Sequence, residues 1–291
     1  MSDFIIATAS TSDLDRNYLD EKNIPFISYT FLLNEKVHLD DCRLETKKNV
    51  FDSMRAGQMP TTSQITQSEY MDFFKSLMEH GKDVIYLDMS CALSNSYNNA
   101  LLAEEEIKAL YPDQNFYMVD TRCVTGGLAL LVDLALAKKE AGAGYQECID
   151  YIESIKMHII HHFVVDDLKW LRKGGRLSNA AALIGTLLQI KPLLYVTNEG
   201  TLVASSKVHG RKHALATIVK NMAKDLGDYK GKDIYISHAD CEADAQLMAD
   251  KMRELYPELG EIKLFMEGPT IGAHVGPGFI SIHYIGTART F

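Results

Sequence analysis

The sequence lacks the marks of a secreted, membrane-spanning or nucleic-acid-binding protein. Its five cysteines (Cys42, Cys91, Cys123, Cys148, Cys241) are scattered, odd in number and free of any Cys-x-x-Cys pair. That pattern fits reduced thiols better than a disulfide framework or a zinc site. No stretch approaches the ~20 apolar residues that span a bilayer, and the opening Met-Ser-Asp-Phe-Ile-Ile has no basic segment before an apolar run, so no signal peptide is expected. Positive charge is the minority: 30 Lys and Arg against 39 Asp and Glu leave a net charge of −9. A nucleic-acid surface needs the opposite balance. Also missing are Gly-x-Gly-x-x-Gly after the first strand, Gly-x4-Gly-Lys-Ser/Thr, and the Gly-x-Ser-x-Gly nucleophile elbow. His158, His161 and His162 invite a zinc reading, but no nearby Cys or Glu completes a site, and Ile159, Ile160 and Phe163 make them flanks of a strand. No metal, no cofactor and a cytoplasmic location are expected.

What is present is an ordinary globular composition, 291 residues with 46% hydrophobic and 24% charged, enough for one to two domains. The first half alternates strand and helix signals. Strands are expected at Phe4–Ala7, Ile24–Phe31, Asp83–Asp88 and Phe116–Asp120. Helices are expected at Thr46–Ala56, at Ser68–His80 opened by Ser68, at Asn98–Tyr111 and at Thr125–Ala141. Such repetition predicts a parallel, Rossmann-like sheet covered by helices, with ligands beyond the carboxyl ends of its strands at Ser90–Tyr97 and Thr121–Thr125. After Gly142-Ala-Gly144 the pattern changes. A helix over Tyr145–His158, a strand at Phe163–Val165, a helix over Asn179–Leu188, a hairpin of Lys191–Val196 with Thr201–Ser205, and strands at Asp233–Ser237, Glu261–Phe265 and Phe279–Tyr284 predict an α+β half around a mixed sheet. The expected division is 1–158 and 159–291.

The densest signal is Glu267-Gly-Pro-Thr-Ile-Gly-Ala-His-Val-Gly-Pro-Gly278, four glycines and two prolines in twelve residues. This density predicts a break in regular structure and a tight turn that aims His274. Three further polar groups could carry chemistry. Pro60-Thr-Thr-Ser-Gln64 holds hydroxyls in a loop, including Thr62 and Ser63. Ser90–Tyr97 opens a helix whose amides favour an anion, with Ser94 adding a hydroxyl. Arg172–Arg176 places two guanidinium groups around Gly-Gly, suited to a carboxylate or phosphate. By spacing alone each could equally be a cap or a solvated turn.

Taken in order, Thr62-Ser-Gln64, Leu93-Ser-Asn-Ser-Tyr97, Val119-Asp-Thr121 with Gly126, Leu171–Ser178 and Gly272-Ala-His-Val-Gly-Pro-Gly278 resemble the DegV family of bacterial fatty-acid-binding proteins over essentially the whole chain. The resemblance implies one long-chain fatty acid in a tunnel between two α/β domains. It implies that Thr62 and Ser94 hold the carboxylate with His274 nearby, Ser63 beside them and Arg176 in support. It also implies a partner, since some members carry the acyl group for a separate ATP-binding fatty acid kinase subunit. On that reading the chain is not itself an enzyme. The apolar run Ala181–Leu188 with Ile190 would line both core and tunnel. Two other readings stay open here: a small-molecule kinase or hydrolase with His274 as base, and a regulatory interaction protein without ligand. The usual Leu-Ser-Gly-Thr-Tyr is Leu93-Ser-Asn-Ser-Tyr97, the first strand runs into Ala9-Ser-Thr11 rather than Asp-Ser-Thr, and Ile65 stands where proline commonly follows Thr-Ser-Gln.

Overall fold

The structure, a computed structural model, describes residues 3–176 and 189–289. Its strands are β1 (Phe4–Ala9), β2 (Phe26–Ile27), β3 (Thr30–Leu33), β4 (Lys36–Leu39), β5 (Thr61–Ser63), β6 (Asp83–Asp88), β7 (Phe116–Asp120), β8 (Ile159–Val164), β9 (Ile190–Val196), β10 (Leu202–His209), β11 (Ile234–His238), β12 (Ile262–Met266) and β13 (Ile280–Ile285). Four of them, in the order β2-β1-β6-β7, make a wholly parallel sheet. Six more, β10-β9-β8-β13-β11-β12, make a mixed sheet that is antiparallel except between β11 and β12. The α/β class with a Rossmann-like parallel sheet and a mixed-sheet α+β half is thus the observed architecture.

Helix Gly126–Glu140 explains how the two sheets meet. Its sequence, Gly-Gly-Leu-Ala-Leu-Leu-Val, is apolar on every side and buried from Gly126 to Val132. A helix of that kind needs cover all round. It finds cover by touching β1 and β6 of the parallel sheet and β8, β11 and β13 of the mixed sheet. Alternation along the strands then sorts the mixed sheet's faces. Ile160, Val164, Ile234, Ile236, Ile280 and Ile282 point to a core shared with helices Arg211–Asn221 and Glu242–Leu255. The opposite set, His161, Phe163, Tyr235, Ser237, Ser281 and His283, faces the other way.

Several expectations need correction. Ile24–Phe31 is not one strand: β2 pairs with β1 for only two residues, and β3 joins a separate three-stranded sheet ordered β4-β3-β5. The break follows from β1 turning at Ser10, whose Oγ accepts from Tyr29 N at 3.1 Å and takes the chain away from the first sheet. Pro60–Gln64 is not all loop, because Thr61–Ser63 pairs with β3, Thr62 opposite Phe31. The helix after it is capped by Thr66, not Ser68. Thr66 Oγ1 accepts from Glu69 N at 3.3 Å while the Glu69 carboxylate accepts from Thr66 N at 2.7 Å, a reciprocal box. The glycine-rich segment forms a helix, Pro269–Val275. Gly268 and Gly276 sit at its ends and Pro269 at its first position, where a missing N–H costs nothing, so only Gly272 lies inside. The histidines expected to flank a strand lie partly in one: His161 and His162 belong to β8, which starts at Ile159 rather than Phe163. The helix expected over Asn179–Leu188 and the apolar run from Ala181 to Leu188 lie outside the described residues.

Candidate ligand-binding site

A cavity of about 230 Å³ lies where the parallel sheet, the three-stranded sheet and the mixed sheet converge. Thr62, Ser63, Ser94, Arg176 and His274 all line it, together with apolar groups such as Met89, Leu93, Phe163 and Phe279. Each polar residue is delivered by a different element. Strand β5 carries Thr62 and, at its exposed end, Ser63. The loop before helix Ser96–Leu110 carries Ser94. Short helix Lys169–Lys173 runs into Gly174-Gly175, with Gly175 in the left-handed region at φ 72°, and so turns Arg176 back. Helix Pro269–Val275 carries His274 on its last turn.

The contacts among them are direct. His274 Nε2 is 2.9 Å from Thr62 Oγ1. Its other ring nitrogen has no partner among the described residues and packs on Gly174, where a Cβ would stand 2.2 Å from Nδ1. Arg176 is pinned by carbonyls, donating from Nε to Leu93 O at 3.0 Å and from Nη1 to Gly174 O at 2.6 Å. Among the described residues nothing else accepts from its guanidinium, whose remaining N–H groups are donors a ligand could use. Ser94 Oγ donates to Ser96 Oγ at 3.0 Å and accepts from Ser96 N at 3.2 Å, which fixes the hydroxyl at the helix start. Asn95 between them has φ −73°, so the sequence's departure from glycine there carries no backbone strain. Ile65, in the place of the common proline, uses its N–H: it donates to Ser96 Oγ at 3.1 Å.

Electrostatics at this end favour an anion. Burial first, and then the Arg176 charge, push the His274 imidazole down to about 4, so it is neutral at physiological pH. In the tautomer protonated on Nε2 it donates to Thr62 Oγ1 and leaves the hydroxyl hydrogen for a ligand oxygen. Arg176 is the one formal charge among the described lining residues, which include no Asp, Glu or Lys. A half-buried cation with no acid beside it carries a desolvation cost, which a carboxylate would offset.

Sequence reasoning missed Tyr29. It is 2% exposed, lines the cavity, and its hydroxyl has no hydrogen-bond partner among the described residues. Burial pushes that hydroxyl's pKa up, so it is a neutral donor. No motif marks it; within an apolar strand an aromatic reads as core. Behind the wall lie three buried carboxyls. Thr270 Oγ1 donates to Asp40 at 2.6 Å, Thr125 Oγ1 to Glu267 at 2.6 Å, and Gly268 N to Asp13 at 2.7 Å. Burial raises all three, Asp40 to about 7. They do not make a metal site: among the described residues no group of three or more His, Cys, Asp or Glu is arranged to hold an ion. His161 instead bonds Ile159 O at 3.1 Å, and His162 faces Asp225 at 3.4 Å. Among the described residues no helix is long and apolar enough to cross a membrane.

The profile of one protein family, described as "Uncharacterised protein, DegV family", matches residues 3–287. The chain belongs to the DegV family. A DegV domain-containing protein of Clostridium perfringens is 34% identical over 290 residues, covering 99% of both chains. Among solved structures, a DegV lipid-binding protein of Thermotoga maritima is similar with a TM-score of 0.87 at 26% identity, covering 100% of each chain. A DegV family protein of Thermus thermophilus described as binding fatty acid has a TM-score of 0.88 at 25% identity, covering 97% of this chain and 99% of its own. The DegV fold therefore accounts for the whole chain, and the cavity lies within it.

Proposed function

We propose that this DegV-family chain binds one long-chain fatty acid, tail in the cavity between a unit of residues 1–158 and a unit of residues 159–291, carboxylate against Thr62, Ser94, His274 and Arg176 with Ser63 at the rim. One observation carries the reading: a largely apolar cavity in which the one formal charge among the described lining residues, Arg176, stands beside hydroxyls and a neutral histidine. Burying the tail gains about 0.8 kcal/mol per methylene, and the polar end supplies the bonds that the carboxylate would otherwise lose. The lipid-binding relatives of the same fold support it. A histidine at about 4 is too weak a base for proton abstraction near neutrality, which favours holding the carboxylate over cleaving or activating a substrate. We read the chain accordingly as the carrier that presents the acyl group to a separate ATP-binding kinase subunit.

The decisive experiment is native mass spectrometry of freshly purified protein, followed by solvent extraction. A co-purified long-chain fatty acid is expected. Lipid-free protein that also fails to take up added fatty acid would overturn the proposal. With ATP, the isolated chain should form no acyl phosphate, and the matching kinase subunit should restore its formation; turnover by the chain alone would contradict the carrier role.

A further inference from the structure

The helix that carries His274 is fastened at its start by acids from the first half of the chain. Asp13 Oδ1 accepts from Gly268 N at 2.7 Å. Asp40 Oδ2 accepts from Thr270 N at 3.2 Å and from Thr270 Oγ1 at 2.6 Å. Glu267, just before the helix, accepts from Thr125 Oγ1 at 2.6 Å and shares a hydrogen bond with Asp13. All three carboxyls are 0% exposed. Thr125 itself sits at φ 50° and ψ −136°, a conformation unfavourable for a β-branched residue and kept only where the surroundings enforce it. Its amide donates to Thr11 O at 3.0 Å while its hydroxyl is held by Glu267.

The charges in this cluster leave one acid over. Lys47, also 0% exposed, is the buried cation that faces all three carboxyls, and it donates to Asp13 O at 2.9 Å and to the half-exposed Asp15 at 2.8 Å. Two carboxyls that share a hydrogen bond need one proton between them, so the Asp13–Glu267 pair carries one charge, which Lys47 balances. Asp40 must then be neutral or stand as an uncompensated buried charge. Nothing else nearby compensates it. Burial pushes the Cys42 thiol up and the His238 imidazole down. His274, at about 4, is neutral. Asp41 pairs with Arg43 at the surface, and the other charged groups of helix Leu44–Arg55, Glu45, Lys48, Asp52 and Arg55, are exposed. Burial first, and then Asp13, raise Asp40 to about 7. Its Oδ1 has no partner among the described residues, so it can hold a proton while Oδ2 keeps Thr270.

We infer that Asp40 is the proton-dependent catch of a latch, completed by Asp13 and Glu267, that positions the His274 helix, so that a fatty acid binds tightly while Asp40 is neutral and more weakly once it is ionised. This rests on the proposed binding of a fatty acid and adds its regulation. Thr270 lines the cavity and stands four residues before His274, on the same helix face. Asp40 is therefore one hydrogen bond behind the cavity wall. An ionised Asp40 repels an entering carboxylate and strains the start of the helix. A bound carboxylate in turn holds the proton on Asp40, so binding above neutrality takes up a proton.

The test compares octadecanoic acid affinity for wild type and Asp40→Asn from about pH 6 to about pH 8.5. The amide keeps an oxygen for Thr270 and cannot ionise, and ionisation of the ligand cancels in the ratio. The wild-type Kd divided by that of Asp40→Asn should rise at least about fivefold across this range, most of it above pH 7. Titration calorimetry of wild type with monomeric tetradecanoic acid at about pH 8, in buffers of different ionisation enthalpy, should show net proton uptake. A flat ratio, or binding without proton uptake by wild type, would overturn the inference while leaving fatty acid binding intact. Failure of wild type to bind either acid at any pH would instead overturn the proposed function. The proton uptake is read on wild type alone, so it decides the matter even if the variant does not fold.

Discussion

On the proposed reading, Thr62, Ser94 and His274 divide the polar work at the carboxylate end, and the contacts among them say how. Thr62 and His274 form one bonded pair, so Thr62→Ala removes a ligand donor and also strands a buried imidazole nitrogen. Ser94 is tied to Ser96 and acts separately. A lost bond to a charged group costs about 1.5–3 kcal/mol, roughly ten- to a hundredfold in affinity. Isothermal titration should show Thr62→Ala and Ser94→Ala each in that range, with melting temperatures lowered by a few degrees because each change also leaves one internal hydrogen bond unmade. A second prediction concerns Asp40. Its carboxyl is raised to about 7 in the folded chain from 3.8. A raised acid keeps its proton when folded, so its contribution is complete below about 4 and is lost as pH climbs through 7, at up to about 1.4 kcal/mol per pH unit. The depressed His274, at about 4 against 6.5, acts in the opposite sense, losing stability as pH falls below 6.5. Asp40→Asn isolates the first effect while keeping an oxygen for Thr270. The melting temperature of wild type minus that of Asp40→Asn should fall from pH 5 to about pH 7 and level off above it. At this scale the sequence disclosed Thr62, Ser94, Arg176 and His274 through their motifs. Tyr29 stayed hidden because it sits between the apolar stretches of β2 and β3, where an aromatic reads as core.

The helix Pro269–Val275 is the element on which the site turns, and its end is fragile. Gly276 follows it at φ 76°, and a Cβ there would lie 2.1 Å from Trp170 Cδ1. Gly276→Ala meets both a left-handed backbone and an indole, so a loss of about 1–3 kcal/mol is expected, read as a drop of several degrees in melting temperature. Because His274 rides on the last turn, fatty acid affinity should fall with it; unchanged melting and affinity would show that the helix end relaxes freely. This element also marks where sequence reading stops. Strands β6 and β7 match their expected bounds, since buried parallel strands read as unbroken apolar runs. The glycine-rich helix did not, because glycine breaks a helix from the inside, whereas Gly268 and Gly276 lie at its two ends. Strand β5 is three polar residues long and has no periodicity to detect; its pairing with β3 decides it.

For the whole molecule, the two sheets are joined by more than apolar packing. Arg289, 7% exposed, donates to Ile159 O, Arg122 O and Thr197 O, each at 2.9 Å, and to Lys156 O at 3.2 Å. Asp133 accepts from Tyr18 at 2.7 Å on one side and from Lys263 at 3.1 Å and Tyr235 on the other. Arg289→Ala would orphan several buried carbonyls at about 1–3 kcal/mol each, so a total loss of at least about 3 kcal/mol is expected in urea unfolding, still as one transition. Two resolved transitions in the wild-type protein would show that the sheets unfold independently.

Helix Gly126–Glu140 has a consequence for how a ligand comes and goes. A hinge between the sheets would have to strip one side of a helix that is apolar all round, exposing its leucines to water, so if the chain carries an acyl group as proposed, exchange goes by opening at the surface while the centre stays shut. In hydrogen–deuterium exchange, the amides of Leu128–Val132 should then be among the last to label, and they should label no faster while fatty acid is being traded than when it is fixed in place.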